Sequence, residues 1–210
     1  MKGVFISIEG IEGTGKSTQA GLLAEHLRGQ GLPVVQTLEP GGTPIGLKIR
    51  ELLLSLESAG MDSVVELLLY NASRVQHIRE VIIPALGRGA VVITDRFSDS
   101  TVAYQGFGRG IDLKLIDSLD AIGTNRLRPD LTILLDIDVE TGLMRNRHIN
   151  KRDRLELEDV RFHEEVRKGF LRIAAGEPDR IRIVDCSTGV EEVHRRISVL
   201  ADDFIKRSGR

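Results

Sequence analysis

The stretch "IEGIEGTGKSTQ", residues 8–19, decides the fold, because Gly10, Gly15, Lys16 and Ser17 fit the pattern G-x-x-x-x-G-K-[ST]. The apolar run "GVFISI" precedes it and predicts a buried strand, and the helix-forming run "TQAGLLAEHL" follows it. In that context, glycines let backbone N–H groups turn towards anionic oxygens at a helix N-terminus, the lysine adds a charge and the serine hydroxyl can bind Mg²⁺. A glycine turn that merely caps a helix is the alternative, and the placement after a strand disfavours it. The stretch therefore predicts a phosphate-binding site.

The composition bounds the size and the partners of the chain. With 210 residues, 41% of them hydrophobic, it can close a single core, so we expect one domain over residues 1–210. A net charge of −2, from 29 basic and 31 acidic residues, argues against nucleic-acid polymers as partners. No apolar run approaches the roughly 18 residues of a membrane span and no leader precedes the loop, so we expect a cytoplasmic protein that binds no membrane. Cys186 is the single cysteine, and the five scattered histidines lack metal-ligand spacing, so we expect them at the surface or in packing.

Short runs rich in valine and isoleucine alternate with longer amphipathic runs, which is typical of a parallel sheet covered by helices on both faces. Ligands of such sheets bind beyond the carboxyl ends of the strands. Polar segments cluster there: "EPGGT" follows the second run, "DRF" closes the third and "DID" closes the fourth. We therefore expect an α/β fold with its site at that edge. The predicted strands are residues 4–9, 33–39, 90–95, 131–137 and 180–185.

The segment "RNRHINKRDR", residues 145–154, is strongly basic. One interpretation is a solvated helix face, which is the usual meaning of a run of charges. The other follows from its position, about one helix length after the fourth strand and on the edge that carries the phosphate loop. A hinged basic flap there could close over a triphosphate, exclude water and add charge where it develops in phosphoryl transfer.

A second set of arginines indicates what receives the phosphoryl group. Transfer needs an acceptor in line with the γ-phosphate, and a second anion site would make that acceptor itself a phosphate. Arg96 ends a predicted strand beside Asp95, which could either hold Arg96 in a bidentate pair or approach Mg²⁺ through water. The candidate arginines for this second site are Arg50, Arg74, Arg96 and Arg109.

Two aromatic and polar stripes indicate a base beside that phosphate. Tyr70 lies four residues before Arg74, so on a helix the two share a face and could stack on a base while holding its phosphate. Thr101, Tyr104 and Gln105 form a second stripe after the third strand. Thr101 and Gln105 have i, i+4 spacing and could read base edges.

These residues carry a family resemblance. The segments "EGIEGTGKST", "EPGGTPIGLKIRELL", "SRVQHIREVIIPAL", "VVITDRFSDSTVAYQGFGRGID" and "RPDLTILLDID" resemble bacterial thymidylate kinase, and the likeness continues through "RDRLELEDVRFHEEVRKGF" over essentially the whole chain. The resemblance implies a five-stranded P-loop kinase core with helices on both faces, a short basic lid over residues 145–156, and a homodimer. It also implies Mg²⁺-dependent transfer of the γ-phosphate of ATP to dTMP, giving dTDP.

The resemblance also assigns residues to the two nucleotides. It implies that Tyr70 stacks on thymine, Arg96 clamps the acceptor phosphate, Glu12 lies near the 3′-hydroxyl and Tyr104 fills the space of a ribose 2′-hydroxyl. The implied ATP-binding residues are Gly10, Gly13, Thr14, Gly15, Lys16, Ser17, Thr18 and Arg145. The implied dTMP-binding residues are Glu12, Glu39, Pro40, Tyr70, Arg74, Arg96, Ser100, Thr101, Tyr104 and Gln105. The implied metal site comprises Ser17, Asp95 and Glu156, and the implied catalytic set is Lys16, Arg96, Arg154 and Glu12.

The chain departs from the family pattern before and after the second anion site. Leu38 stands where the family usually has an arginine before "EPGGT", so the contact of that arginine must be absent or replaced. Phe97 stands where tyrosine or histidine is common after "DR". The chain therefore lacks the tyrosine hydroxyl at this position but keeps the preceding arginine. The lid also differs, with Ile149 and Asn150 in its middle.

The lid must supply a charge that the loop lacks. No arginine lies between Gly10 and Lys16, so negative charge spreading over the transferring phosphoryl oxygens must be met from elsewhere. We favour Arg154, because "DRLE" resembles the "DRIE" of the family, with Arg147 and Arg152 as alternatives.

Two other functions stay open. One is a kinase of another nucleoside monophosphate on the same core. The other is a nucleotide-dependent switch ATPase, which needs a residue that orients water and usually has no second arginine site. Arg74 and Arg96, together with the aromatic platform, favour a kinase over a switch.

Overall fold

A computed structural model describes residues 3–147, except for the side chain of Arg147, and residues 153–209. Within these residues, five strands form one parallel sheet in the order β2-β3-β1-β4-β5. The strands are β1 (Val4–Glu9), β2 (Val34–Leu38), β3 (Val91–Asp95), β4 (Leu131–Asp136) and β5 (Ile181–Asp185). All five predicted strands are confirmed, with ends that differ by at most one residue, and so is the α/β class.

Helices connect the strands and cover both faces of the sheet. A 3₁₀ turn at Leu56–Ser58 follows the second helix, and π-helical turns at Ile78–Ile82 and Val102–Gly108 continue the third and fifth. In the described ranges, no helix combines the length and the apolarity needed to cross a membrane. The helices are α1 (Lys16–Gly29), α2 (Pro44–Leu54), α3 (Ser63–His77), α4 (Ile83–Gly87), α5 (Ser98–Thr101), α6 (Leu113–Thr124), α7 (Val139–Arg147), α8 (Val160–Gly176) and α9 (Val190–Arg207).

The core lies on the two faces of the central strand. β1 is buried along its whole length, and its alternate side chains point to opposite faces. Ile6 and Ile8 pack in the larger apolar cluster with Leu23 of α1, whereas Phe5 packs in a smaller cluster with Ile82. Burial on both faces explains why these strands read as continuous apolar runs rather than alternating ones.

The parallel register brings three loops to one edge. β1 pairs with β3 on one side and β4 on the other, so the carboxyl ends of β1, β2 and β3 lie side by side. The phosphate loop follows β1, the turn at residues 39–43 follows β2, and residues 96–97 follow β3. A cleft of about 580 Å³, called here the central cleft, opens between them.

Candidate active site

The loop after β1 has a backbone that requires glycine. Gly10, Gly13 and Gly15 have φ values of 142°, 72° and 86°, in the region that other residues rarely adopt. A Cβ on Gly13 would lie 1.9 Å from the carbonyl oxygen of Gly142, so α7 also packs too closely for a side chain. The loop ends at the N-terminus of the 14-residue helix α1, where unpaired backbone N–H groups favour anions.

Lys16 lies buried inside this loop. Its Nζ donates to the carbonyl oxygen of Ile11 at 2.7 Å and lies 3.4 Å from Oγ1 of Thr14. Burial, followed by the positive charge of Arg96, lowers the pKa of Lys16 to about 8, although nearby carboxylates oppose this. A bound polyphosphate would add negative charge and favour the ammonium form.

Ser17 and Asp95 supply neighbouring oxygens at the mouth of the loop. The hydroxyl of Ser17 donates to Oδ2 of Asp95, and the structure shows no ion pair between Asp95 and Arg96 in the described residues. Mg²⁺ bound with a nucleotide uses one or two protein oxygens and takes its other ligands from phosphates and water, so this pair fits that ion. Glu156 lines the same cleft, and burial raises its pKa. Within residues 3–147 and 153–209, no group of three or more His, Cys, Asp or Glu side chains is placed to hold a metal ion.

Arg96 reaches from the end of β3 to the phosphate loop. Its backbone has a φ of 73°, a left-handed conformation that is costly for a residue with a Cβ. The guanidinium donates to the carbonyl oxygen of Gly10 at 2.9 Å, to the Ser100 hydroxyl at 3.0 Å, to the Tyr104 hydroxyl at 3.0 Å and to Glu12 Oε1 at 3.2 Å. Most of these acceptors are neutral, so the charge of Arg96 remains available to an anion in the central cleft.

Glu12 is a loop carboxylate held by three other elements. Its Oε1 accepts from the Tyr104 hydroxyl at 2.5 Å, and its Oε2 lies 3.3 Å from Nδ1 of His163 in α8. Burial alone would raise its pKa, but His163, Arg96 and Lys16 outweigh burial and lower the pKa to about 2. Glu12 is therefore an ionised acceptor of hydrogen bonds at neutral pH.

The wall opposite the loop comes from α3 and from the segment after β3. Arg74 is 2% exposed, and its guanidinium donates to Glu39 Oε2 at 2.8 Å and to the Thr101 hydroxyl at 2.7 Å. Tyr70 lies one turn earlier on α3, as its spacing predicts, and lines the central cleft together with Gln105.

The turn after β2 closes the cleft beside that wall. Glu39 accepts from both Arg74 and Nδ1 of His77, which lies 2.8 Å from its Oε1. Arg50 donates to the carbonyl oxygen of Pro40 at 2.9 Å and lines the cleft. Leu38 also lines the cleft, so an arginine contact at this turn comes from Arg50.

All ten residues predicted for the acceptor line the central cleft, together with the three predicted for the metal. A model of the thymidylate kinase family matches residues 8–197, which span the loop, both walls and the sheet. The chain belongs to the thymidylate kinase family.

Relatives in this family match over nearly their full length. A thymidylate kinase of Pelobacter propionicus is 50% identical over 93% of this chain and 92% of its own. Those of Geobacter sulfurreducens and Pseudomonas fluorescens are each 49% identical over 99% of both chains. The crystal structure of thymidylate kinase from Ehrlichia chaffeensis superposes with a TM-score of 0.80 at 36% identity, covering 96% of this chain and all of the other.

In this chain, the arginines predicted for the lid lie either outside the central cleft or outside the described residues. Arg154 is 6% exposed and pairs with Glu66 at 2.5 Å, while its Nε donates to the carbonyl oxygen of Leu53 at 3.2 Å. Arg145 donates to the carbonyl oxygen of Cys186 at 2.9 Å. Arg152 lies outside the described residues, as does the side chain of Arg147. The catalytic role of Arg154 stays a prediction, and the structure pairs it with Glu66, which does not line the central cleft.

Sequence reasoning missed three buried residues around this site. His77 and His163 are fully buried beside the carboxylates of Glu39 and Glu12, and Glu66 is fully buried beside Arg154. All three lie on helices, and each meets a partner at least 35 residues away in the chain. A polar residue on the apolar face of an amphipathic helix is the one sequence signal that points to them.

Proposed function

We propose that this chain transfers the γ-phosphoryl group of ATP to dTMP and releases ADP and dTDP. The observation that supports this most is the position of Arg96, which lies between the phosphate loop and the residues predicted to hold a nucleotide. A switch ATPase has no use for a second nucleotide pocket, whereas a kinase needs two anion sites that face each other.

On the donor side, the loop and Lys16 hold the triphosphate through backbone N–H groups and one ammonium charge. Mg²⁺, held through the Ser17 hydroxyl with Asp95 behind it, would neutralise charge on the phosphate oxygens. On the acceptor side, Arg96 holds the monophosphate so that one of its oxygens attacks the γ-phosphorus in line. The bond from that phosphorus to the bridging oxygen of the β-phosphate breaks, and no base is needed because the attacking phosphate oxygen is already ionised.

The sugar would meet Tyr104 and Glu12. The Tyr104 ring packs edge-on to Phe162 and Phe170, with ring centroids 6.2 and 6.1 Å away, while its hydroxyl is held by Arg96 and Glu12. A ring fixed at both ends cannot yield to an extra hydroxyl, which supports a preference for deoxyribose. Glu12, ionised at neutral pH, would then accept a hydrogen bond from a 3′-hydroxyl.

The test is to incubate the protein with ATP, Mg²⁺ and each deoxy- or ribonucleoside monophosphate, and to follow ADP release. We expect dTMP to give the highest kcat/KM and no comparable release without an acceptor. A higher kcat/KM with another monophosphate would indicate the alternative kinase. Rapid ADP release that no monophosphate accelerates would indicate a switch ATPase.

We further propose that the chain forms a homodimer through helices α2, α3 and α6. The three helices pack side by side and expose apolar side chains of which several are about half accessible, including Leu47 and Leu52 of α2 and Leu68 of α3. Exposed apolar side chains on helices that pack together are costly in water, and a second copy of the chain would cover them.

The mass in solution tests this proposal. Leu68 is 49% exposed, and Val199 on α9 is 50% exposed, so the two make a matched pair. Leu68→Glu should give a monomer by light scattering, whereas Val199→Glu should leave the dimer intact. A wild-type monomer at micromolar concentration would refute the proposal.

A further inference from the structure

Glu66 of α3 is a fully buried carboxylate that, in the described part of the chain, is contacted by three side chains from other segments. Its Oε1 accepts from Nε2 of Gln105 at 2.8 Å and from Nε of Arg109 at 3.3 Å. Its Oε2 accepts from Nη2 of Arg109 at 3.2 Å and pairs with Nη2 of Arg154 at 2.5 Å. Glu66 does not line the central cleft, but Gln105 does.

The two arginines keep this carboxylate ionised. Burial alone would raise the pKa of Glu66, but hydrogen bonds from Arg109, Gln105 and Arg154 outweigh burial and lower it. An ionised carboxylate has no proton to give and can only accept hydrogen bonds. Its neighbour at Gln105 must therefore present the amide nitrogen, and chemistry alone decides which end of the amide faces Glu66.

The other end of the Gln105 amide is the end that a ligand can reach. No side chain of the described residues donates to its Oε1 in the structure. Since the amide is planar, holding Nε2 against Glu66 turns Oε1 away from Glu66 and leaves a hydrogen-bond acceptor for the cleft.

We propose that Glu66 is a positioning residue for base recognition, which holds the Gln105 amide so that its oxygen faces the acceptor base. This rests on the proposed function. An oxygen at that position attracts a base that carries a ring N–H, as thymine does at N3, and repels a base with a bare ring nitrogen, as in cytosine. Arg109 and Arg154 act on the base through Glu66, since their charges keep the carboxylate unprotonated.

Glu66→Gln tests the proposal, because a neutral amide at position 66 can donate as well as accept and no longer dictates the orientation of Gln105. We expect the KM for dTMP to rise about five- to thirtyfold, the size expected when one or two hydrogen bonds are lost, with little change in the KM for ATP. The preference for dTMP over dCMP in kcat/KM should fall by a similar factor.

A double-mutant cycle separates positioning from a merely structural role. If Glu66 acts through Gln105, Glu66→Gln should add nothing to the dTMP KM in a Gln105→Leu background. An equal rise in both backgrounds would overturn the proposal. The matched control is Glu158→Gln, which removes a carboxylate that pairs with Arg109 at 2.7 Å but leaves Gln105 untouched, and should change the dTMP KM less than twofold.

A second probe does not depend on whether Glu66→Gln folds. The folded wild-type protein is given dTMP methylated at N3, which lacks the ring N–H. We expect at least a tenfold loss in kcat/KM relative to dTMP, and a smaller ratio in Gln105→Leu. Equal use of both acceptors by the wild type would overturn the proposal, whereas failure of the wild type to phosphorylate dTMP at all would refute the proposed function.

Discussion

Replacing Arg96 by alanine removes the charge that we assign to the acceptor phosphate. Among the described residues, its guanidinium makes four contacts of 2.9–3.2 Å, three of them to neutral oxygens, so most of its charge is available to a bound phosphate. A hydrogen bond to a charged group contributes about 1.5–3 kcal/mol, so losing two to a phosphate costs about 3–6 kcal/mol. At 1.4 kcal/mol per tenfold, kcat/KM for dTMP should fall by roughly 10²- to 10⁴-fold.

The assay is coupled ADP release at varied dTMP, with ATP binding followed by calorimetry. We expect ATP affinity to change far less than dTMP use, and Arg96→Lys to recover only part of the loss because an ammonium cannot bind two phosphate oxygens in one plane. Arg128→Ala is the control, since this arginine is 51% exposed and pairs with Glu177 at the surface. Unchanged dTMP kinetics in Arg96→Ala would refute the assignment.

Three further predictions concern the sugar, the lid and the phosphate loop. Tyr104→Ala should lower the ratio of kcat/KM for dTMP to kcat/KM for its ribose analogue by about 10- to 200-fold, whereas Tyr104→Phe should keep this ratio. An unchanged ratio in the alanine variant would place sugar selection elsewhere. One of the lid variants Arg147→Ala, Arg152→Ala and Arg154→Ala should lower kcat by about 10³- to 10⁵-fold while ATP affinity is retained. Arg154→Ala should also lower the Tm, because Glu66 loses a partner. A normal kcat in all three variants would show that the lid supplies no catalytic arginine. The pKa of Glu12 is lowered to about 2, so the stability that this carboxylate contributes is fully present above pH 4.5, its ordinary pKa, and is lost as the pH falls towards 2. Glu12→Gln should therefore make the Tm fall less steeply between pH 4.5 and 2 than it does in the wild type. Parallel curves of Tm against pH for the two proteins would contradict the low pKa.

Local patterns in the sequence determined the sheet and the phosphate loop. The glycines of the loop must adopt left-handed backbone conformations, and the apolar runs must be strands buried on both faces, whatever lies elsewhere in the chain. The strand ends were predicted to within one residue for that reason. Tyr70 and Arg74 share a face because a helix repeats every 3.6 residues, and this too is a local property.

Only the tertiary structure decided what surrounds each of those residues. Arg154 reads as a lid arginine in the sequence, yet it is buried against Glu66, which lies 88 residues earlier. His163 reads as a scattered histidine, yet it faces the carboxylate of Glu12. The charge of a buried carboxylate depends on which cations the fold brings within about 3 Å of it, because desolvation opposes the charge and only close partners restore it. Such partners come from distant segments that meet through helix packing, and no pattern within one segment encodes them.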